Sequence, residues 1–300
     1  MKVLITGGSG FIGTNLKRYF IQHNVKFESV SLRGENKTYI NNDISAVVHL
    51  AGKAHDLKNT PDENEYYKIN TNLTQEIFDE FCKSSAHLFI YLSSVKAVAD
   101  NPNDIIDEDT NANPMTPYGK SKLAAEHYIN KNKVLNKRVF ILRPCMVHGP
   151  NNKGNLNLLY NVIKKGLPYP FGSFSNQRSY LCVENLCFII NELLSNEEIS
   201  SGTYMLADDE TLSSIDIVKL IGHSLKRHVK ILKLPIWLVK LIAELGDLLN
   251  LQFNSDSLQK LTESYEVSNM KIKAVIGKQF PISTRNGLMK TFDSFLQLKQ

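Results

Sequence analysis

The stretch Lys2-Val-Leu-Ile-Thr-Gly-Gly-Ser-Gly-Phe-Ile-Gly13 decides the fold of this chain. An apolar run ends at Thr6, and three glycines follow at the spacing Gly7-x-x-Gly10-x-x-Gly13. Glycine permits a sharp turn and the close approach of a pyrophosphate to the backbone. The helix that begins after such a loop offers free N–H groups and the positive end of its dipole to that pyrophosphate. The stretch therefore predicts a dinucleotide-binding turn rather than a plain strand–turn–helix, although its spacing departs by one residue from GxGxxG.

The first half of the chain alternates short apolar runs with helical periodicity. The runs predict strands at 2–6, 25–32, 46–50, 88–93 and 138–142, and helices at 11–23, 63–84 and 118–132. Strands separated by helices favour an α/β fold with a doubly wound parallel sheet, whose ligands bind at the carboxyl ends of the strands. Only about a dozen residues separate the second and third strands, so we expect a short, hairpin-like link there.

The pattern changes after residue 150. Residues 1–150 are expected to form the dinucleotide-binding domain, and 178–207 to return to its sheet through the stretches 179–194 and 203–207. Residues 151–177 and 208–300, mainly helical after 211, are expected to form a smaller substrate-binding lobe.

Composition and charge narrow the class of protein. Apolar residues make up 42% of the 300-residue chain, charged residues 22%, and the net charge is +5, which is ordinary for a globular protein and gives no basic block for nucleic acid. The four cysteines, Cys82, Cys145, Cys182 and Cys187, show neither disulfide nor metal spacing, which favours free thiols, no metal site and a cytoplasmic protein. There is no secretory signal pattern at the N-terminus.

One stretch, 231–253, is strongly apolar but is interrupted by charges and a proline, so it cannot span a bilayer. Its helical periodicity separates an apolar face from a charged face, which predicts a helix that packs into the core rather than one on a membrane. The apolar face holds Leu238, Leu241, Ile242, Leu245, Leu248 and Leu249, and the charged face holds Lys240, Glu244 and Asp247.

The end of the second strand bears on the choice of cofactor. It lacks the acid that would accept a hydrogen bond from a free ribose 2′-hydroxyl and carries Arg33 instead. A guanidinium matches a 2′-phosphate, so Arg33 favours NADP(H) over NAD(H), the alternative being a solvated side chain at the strand end.

Tyr118 and Lys122 lie four residues apart, which places them on one face of the predicted helix. A nearby ammonium favours the ionised phenol, which gives a group able to move protons near neutral pH. Ser94 follows the fourth strand and is expected to reach the same crevice, where it would bind the reacting oxygen of a substrate. The three residues predict a catalytic set and argue against a non-catalytic sensor or a purely structural protein.

In its motifs the sequence resembles the extended short-chain dehydrogenase/reductase family, also called the NAD-dependent epimerase/dehydratase family. The similarity runs from the glycine loop through His49-Leu-Ala-Gly52, Ser93-Ser94 and Leu142-Arg-Pro144 to Arg178. It implies a Rossmann-type sheet, an enzyme that binds NAD(P)(H), and a nucleotide-sugar substrate, usually linked to UDP. The cofactor-binding residues that it implies, together with those above, are Gly7, Gly10, Phe11, Ile12, Gly13, Arg33, Leu50, Ala51, Gly52, Asn70, Tyr118 and Lys122.

On the substrate side, the resemblance implies that Ser94, Asn155 and Arg178 bind the sugar nucleotide, with Arg178 on its phosphates. A surface ion pair for Arg178 and a turn-capping role for Asn155 remain alternatives. Val95-Lys96 stands where dehydratases of the family carry Asp-Glu, which disfavours a dehydratase.

Two reactions stay open. The resemblance favours reduction of a UDP-4-keto-6-deoxy-hexosamine in surface-polysaccharide synthesis, and the alternative is a 4-epimerase acting on a UDP-hexose or UDP-N-acetylhexosamine with bound NAD. Cys145 or Met146 stands near the position where many epimerases of the family have Asn. A homodimer formed by the helices around 63–84 and 118–132 is also expected from the resemblance.

Overall fold

A sheet of six parallel strands forms the centre of the protein, of which the computed structural model describes residues 1–32, 39–53, 62–152, 154–249 and 254–297. The strands are β1 (Lys2–Thr6), β2 (Lys26–Val30), β3 (Ala46–His49), β4 (Leu88–Leu92), β5 (Arg138–Pro144), β6 (Met146–His148), β7 (Tyr180–Cys182) and β8 (Gly202–Leu206). The central sheet has the order β2-β1-β3-β4-β5-β8, while β6 and β7 pair in a small separate sheet. All of these pairings are parallel, which confirms the sequence prediction for the central sheet.

Helices cover both faces of the central sheet and build the lobe beyond it. They are α1 (Phe11–Gln22), α2 (Glu63–Tyr66), α3 (Leu73–Lys83), α4 (Pro117–Lys131), α5 (Asn155–Lys164), α6 (Val183–Ser195), α7 (Ser214–Ser224), α8 (Ile236–Leu248), α9 (Ser255–Thr262), α10 (Met270–Ile276) and α11 (Thr284–Gln297). A sheet covered in this way needs apolar side chains on both faces, and β3 and β4 are accordingly buried at every position. The α/β doubly wound fold is confirmed.

Two apolar clusters lie on the opposite faces of this sheet. One joins α1 and α6 to it through Leu16, Phe20 and Ile190. The other joins α3 and α4 to it through Phe78 and Ile129. A third cluster, outside the sheet, holds α5, α7 and α11 together and forms the body of the smaller lobe.

The predicted return of the chain to the sheet is correct only in part. β8 pairs with β5 as the sixth strand, but residues 179–194 do not add a strand to this sheet. Tyr180–Cys182 pairs instead with Met146–His148, and the chain continues into α6. Continuous apolar sequence does not distinguish a short strand from a buried helix, and α6 is buried along most of its length because it lies between α1 and the sheet.

The predicted helix at 63–84 contains an irregular segment. A π-helical stretch, Tyr67–Asn72, separates α2 from α3. It adds a residue to the helical turn, and such stretches are frequent at functional sites. In the link before β3, residues 39–45 form neither helix nor strand, and 33–38 lie outside the described residues.

The prediction that α8 packs its leucine face into the core is wrong. Val239, Ala243 and Gly246 form its buried side, whereas Leu241 is 46% and Leu248 76% exposed. The smaller side chains face the lobe because they permit close packing against α9 through Leu258. No helix in the described part of the chain is long and apolar enough to cross a bilayer.

Candidate active site

The glycine loop turns directly between β1 and α1. Gly7 has φ +70°, and a Cβ atom there would lie 2.6 Å from the backbone nitrogen of Ala51. A Cβ atom on Gly13 would lie 2.4 Å from the carbonyl oxygen of Gly7. Gly10 precedes α1 without a side-chain cap, so the first turn of the helix keeps N–H groups for an anion. The loop thus has the shape that a pyrophosphate requires.

A cavity of about 1360 Å³ opens beside this loop at the carboxyl ends of β1, β2 and β3. Among the residues predicted to bind the cofactor, Gly7, Gly10, Leu50, Ala51 and Gly52 line it. Phe11 and Ile12 pack against the hydrophobic core instead; they belong to the first turn of α1, whose backbone N–H groups face the loop. Arg33 lies outside the described residues.

Charged side chains that the sequence did not single out also line this cavity. They include Lys53, Glu65, Lys68 and Glu76. Lys53 forms an ion pair with Glu65, and its Nζ atom lies 5.4 Å from the centre of the Tyr66 ring. The sequence did not predict these residues, because they are spread along the chain and form no recognisable motif.

A buried histidine ties the end of β3 to the helix that follows. Nδ1 of His49 is 2.7 Å from Oγ1 of Thr6, and Nε2 is 3.0 Å from Oγ1 of Thr74. Oγ1 of Thr74 donates to the carbonyl of Asn70 at 2.8 Å, so it accepts from Nε2 of His49. Burial lowers the pKa of His49 to about 3, with Lys122 adding to the effect. A neutral imidazole therefore holds this edge of the cavity.

Asn70, in the π-helical stretch, fixes the backbone next to Gly52. Its Oδ1 atom accepts from the backbone N–H of Lys53 at 2.8 Å, and its Nδ2 atom donates to Oγ of Ser121 at 3.0 Å. It is fully buried. The predicted Asn70 thus joins the cavity wall to α4, and Ser121, which the sequence did not identify, completes the contact.

Ser94 and Tyr118 meet where β4 ends and α4 begins. Thr116 caps α4 by accepting from the backbone N–H of Gly119 at 3.2 Å, and Ser94 begins a short 3₁₀ turn after β4. A Cβ atom on Gly119 would lie 2.3 Å from the carbonyl oxygen of Lys96. The missing side chain at Gly119 therefore lets the turn and the helix approach, which brings Ser94 to Tyr118.

The phenol of Tyr118 is in a shielded position. Burial raises its pKa, a hydrogen bond with Ser94 lowers it, and the nearby Tyr66 raises it. The rings of Tyr66 and Tyr118 lie edge to face, with their centres 6.0 Å apart. The phenol is thus protonated at neutral pH. The hydrogen bond with Ser94 supplies part of the stabilisation that the ionised phenol would need.

Lys122 is 5% exposed and lies behind the wall of the cavity. Its Nζ atom donates to the carbonyl of Leu92 at 2.9 Å and lies 5.0 Å from the centre of the Tyr91 ring. Burial lowers its pKa to about 8, and the charge of Glu126 opposes that shift. The structure thus brings Ser94, Tyr118 and Lys122 to one end of the sheet, as predicted.

A buried ionic cluster lies under α4, and the sequence did not predict it. Arg143 donates to both carboxylate oxygens of Glu126, from Nε at 3.1 Å to each and from Nη2 at 2.6 Å to Oε2. Ser93 donates to the same carboxylate. Leu142-Arg-Pro144 was recognised as a motif, but a partner 17 residues away on a helix face gave no signal. The cluster fixes α4 to β5.

A second cavity, of about 730 Å³, lies in the smaller lobe and contains both Asn155 and Arg178. Asn155 is the first residue of α5. Arg178 pairs with Glu263 at 3.5 Å, and its side chain is 17% exposed. Most of the lining is apolar, including Met146 and Tyr180. Neither of these two cavities is lined by Ser94, Tyr118 or Lys122. Lys122 is nevertheless next to the larger cavity, because it lies directly behind Gly52 in the cavity wall.

The chain is similar to known proteins over most of its length. A model of the family described as "NAD dependent epimerase/dehydratase family" matches residues 3–207. A protein of Vibrio cholerae named UDP-glucose 4-epimerase is 29% identical over 98% of this chain and 95% of its own length. A protein of Escherichia coli O157:H7 named N-acetyl-alpha-D-glucosaminyl-diphospho-ditrans,octacis-undecaprenol 4-epimerase is 27% identical over 90% of this chain and 84% of its own.

A solved structure shares the fold. The UDP-glucuronic acid 4-epimerase of Bacillus cereus, in complex with NAD, superposes with a TM-score of 0.76 at 18% identity and covers 100% of both chains. The family match spans the glycine loop, the Ser94–Tyr118–Lys122 set and β8, the last strand of the central sheet. This chain therefore belongs to the NAD-dependent epimerase/dehydratase family and is an enzyme of that family.

Proposed function

We propose that this enzyme catalyses oxidation or reduction at C4 of a sugar linked to a nucleoside diphosphate, with UDP as the expected nucleotide. The observation that carries the proposal is the position of Ser94, Tyr118 and Lys122 at the carboxyl end of β4, with Lys122 directly behind the cavity wall at Gly52. Proton transfer to an alcohol oxygen needs an acid or base beside a hydrogen-bond donor, and this set supplies both.

In this proposal, Tyr118 exchanges a proton with the C4 oxygen, and Ser94 holds the same oxygen by a hydrogen bond. Lys122 favours the ionised phenol through its positive charge, since an opposite charge nearby lowers the pKa of a phenol. NAD(P), when bound, supplies or accepts the hydride. Gly7, Gly10 and Gly13 would hold its pyrophosphate at the start of α1, and Leu50, Ala51 and Gly52 would line its other side.

Asn155 and Arg178 are proposed to bind the sugar nucleotide, because both line the apolar cavity of the lobe. Arg178 would exchange part of its contact with Glu263 for the diphosphate, since a guanidinium binds phosphate in two-point geometry. For the cofactor, the proposal keeps NADP(H) as the preference that Arg33 indicates. We also propose a homodimer through the helices around 63–84 and 118–132, which sedimentation would show as twice the monomer mass.

Two forms of the reaction have support of different kinds. A 4-epimerase is supported by the two relatives described above, whose names both state that activity. Reduction of a UDP-4-keto-6-deoxy-hexosamine is supported by the resemblance of Ser93-Ser-Val-Lys96 and Leu142-Arg-Pro144 to reductases of the family. It is also supported by Cys145 or Met146, which stands near the position where many epimerases have Asn. Cys145 is buried, and Met146 lines the substrate cavity, where it offers a thioether in place of an amide.

The experiment supplies both substrates to the purified enzyme. UDP-4-keto-6-deoxy-N-acetylglucosamine with NADPH or NADH tests the reductase by loss of reduced-nicotinamide absorbance. UDP-glucose or UDP-N-acetylglucosamine with NAD tests the epimerase by separation of the C4 epimers. Tyr118→Phe is the variant expected to be inactive. Tyr128→Phe is its matched control, because Tyr128 lies on the same helix and its hydroxyl donates to Asp79. Turnover of neither substrate class, or full activity of Tyr118→Phe, would refute the proposal.

A further inference from the structure

The smaller lobe carries an apolar surface that no described part of the chain covers. We define this apolar face as the exposed side chains of α5, of α8 and of the segments next to them. Its members are Leu158, Val162, Leu167, Leu232, Ile236, Trp237, Leu241, Ile242, Leu245, Leu248 and Leu249, each at least 41% exposed. They account for more than half of the large apolar side chains that are exposed in the described part of the chain. Such concentration on one lobe marks an interaction surface.

Part of this apolar face also lines the proposed substrate cavity. Leu158, Val162, Leu167 and Ile242 are exposed and also line the cavity of about 730 Å³. The face is therefore continuous from α5, across the loop that contains Leu167, to α8. A partner that covers this face therefore contacts side chains that line the cavity.

A group of cations borders the apolar face. Lys226, Arg227, Lys230 and Lys233 lead into α8 and are exposed. Backbone hydrogen bonds between residues 230–232 and 169–172 hold this segment beside the loop after α5. Nη1 of Arg227 donates to the carbonyl of Lys164, which adds Lys164 and Lys165 to what we call the basic rim. None of these six cations forms an ion pair with another described side chain.

The acids on α8 lie away from the centre of the apolar face. Glu244 and Asp247 share a flank of the helix with Lys240, between the buried side and the exposed leucines. Asp247 accepts from the backbone N–H of Ser255 at 3.2 Å, so part of its charge is engaged within the lobe. The basic rim has no such acidic partner among the described side chains, and its charge is available to an anionic surface.

We infer that the apolar face and the basic rim dock the enzyme on an anionic membrane surface, with α8 lying in the plane of the lipid headgroups. Apolar side chains on one side of a helix, an exposed tryptophan and adjacent lysines are the features of helices that bind in this way. Trp237, which is 68% exposed, suits the headgroup region because its ring is apolar and its N–H is polar. Cations near the surface add attraction to anionic lipids.

Docking in this orientation turns the substrate cavity toward the lipid. Its mouth would receive substrate from, or return product to, a layer close to the membrane. The inference does not depend on the proposed chemistry at C4, since vesicle binding needs neither turnover nor substrate. Failure of one would leave the other standing.

The test uses the full chain and vesicles of phosphatidylcholine, with and without phosphatidylglycerol. Trp237 is the only tryptophan of the sequence, so its fluorescence reports on α8 alone. We expect a blue shift and co-sedimentation with the anionic vesicles, and at least about tenfold weaker binding to the neutral ones. Raising the salt concentration should weaken binding, because screening shortens the reach of the charges.

Two variants locate the surface. Leu241→Ser with Leu245→Ser should weaken vesicle binding by about tenfold or more through loss of buried apolar area, while the exposed pair Val134→Ser with Leu135→Ser should leave it unchanged. Lys230→Gln with Lys233→Gln should weaken it severalfold and reduce its salt dependence, whereas Lys26→Gln with Lys131→Gln should not. The lysine variants keep the test decisive if the serine variant does not fold.

Three results would overturn the inference. The first is no binding to anionic vesicles, and the second is equal binding to both vesicle types. The third is a second copy of the chain as the occupant, which sedimentation would show if Leu241→Ser with Leu245→Ser reduced the size of the assembly that the unchanged protein forms.

Discussion

The Nζ atom of Lys122 lies 3.1 Å from the position that a Cβ atom would occupy on Gly52. Gly52 lines the large cavity, so only backbone separates the ammonium from the space proposed for the cofactor. The same absent side chain would lie 3.0 Å from Oδ1 of Asn70. A buried lysine, a buried amide and a glycine thus form one wall, and the properties of that lysine can be measured directly.

Lys122 should make the stability of the cofactor-free enzyme rise with pH. Its pKa is lowered from 10.5 to about 8 by burial, so between those values the unfolded chain binds a proton that the folded chain does not. Stability therefore increases as pH rises through this window, and below pH 8 the buried charge costs its full penalty. Relative to Lys122→Met, the unchanged enzyme should gain about 2 kcal/mol between pH 8 and 10.

Urea unfolding at several pH values measures this difference, and Lys131→Met on the same helix is the exposed control. Parallel stability curves for the unchanged enzyme and Lys122→Met would show that burial does not disfavour the Lys122 charge.

Gly119→Ala should separate Ser94 from Tyr118. Alanine normally stabilises a helix by roughly 1 kcal/mol relative to glycine, but here its Cβ atom would lie 2.3 Å from the carbonyl oxygen of Lys96 and 2.8 Å from Cβ of Pro114. Because backbone cannot yield as a flexible side chain can, the start of α4 must move. We expect turnover to fall by at least about tenfold. Lys120→Ala, one residue later and exposed, should keep its activity; a fully active Gly119→Ala would contradict this account of the close approach.

Glu126→Gln should destabilise the fold because Arg143 would keep a charge in a buried position without its carboxylate. Breaking a buried pair in this way costs roughly 3–5 kcal/mol. The matched control is Glu210→Gln, which removes an equally two-pronged pair with Arg285 that is 44% and 49% exposed and should cost less than about 1 kcal/mol. Chemical denaturation compares the two.

Replacing both buried partners, by Glu126→Leu with Arg143→Met, should recover part of the lost stability. If Glu126→Gln and Glu210→Gln lowered the stability by similar amounts, that result would contradict a buried pair.

Gly7→Ala should weaken cofactor binding by at least about tenfold, because both its φ of +70° and its 2.6 Å approach to Ala51 exclude a side chain. Gly277→Ala is the control for conformation alone. Gly277 has φ +64° with nothing within 4 Å of its Cβ position, so alanine there adds only the left-handed strain of roughly 1–2 kcal/mol. Nucleotide titration and thermal unfolding measure both effects. Equal nucleotide affinity in the two variants would mean that the loop does not approach the cofactor closely.

Local pattern predicted the strands of the central sheet and several helices to within a few residues. Apolar runs of strand length, such as Leu88–Leu92, leave few alternatives when helical periodicity follows them. Three kinds of feature were missed or misassigned. The π-helical stretch at Tyr67–Asn72 has no periodicity that differs from a helix, the small sheet of β6 and β7 depends on a partner distant in sequence, and the exposed side of α8 depends on which face α9 covers.

The sequence by itself determined the doubly wound sheet and brought Gly7, Ser94, Tyr118 and Lys122 into view, because strand and helix periods and glycine turns are local properties of the chain. Only the tertiary structure decided what surrounds them. The Glu126–Arg143 pair and the direction of the apolar face result from contacts between distant segments, and so does the lowered pKa of Lys122. Burial and pairing are properties of packed neighbours, and packing selects small residues over leucines where two helices must approach closely.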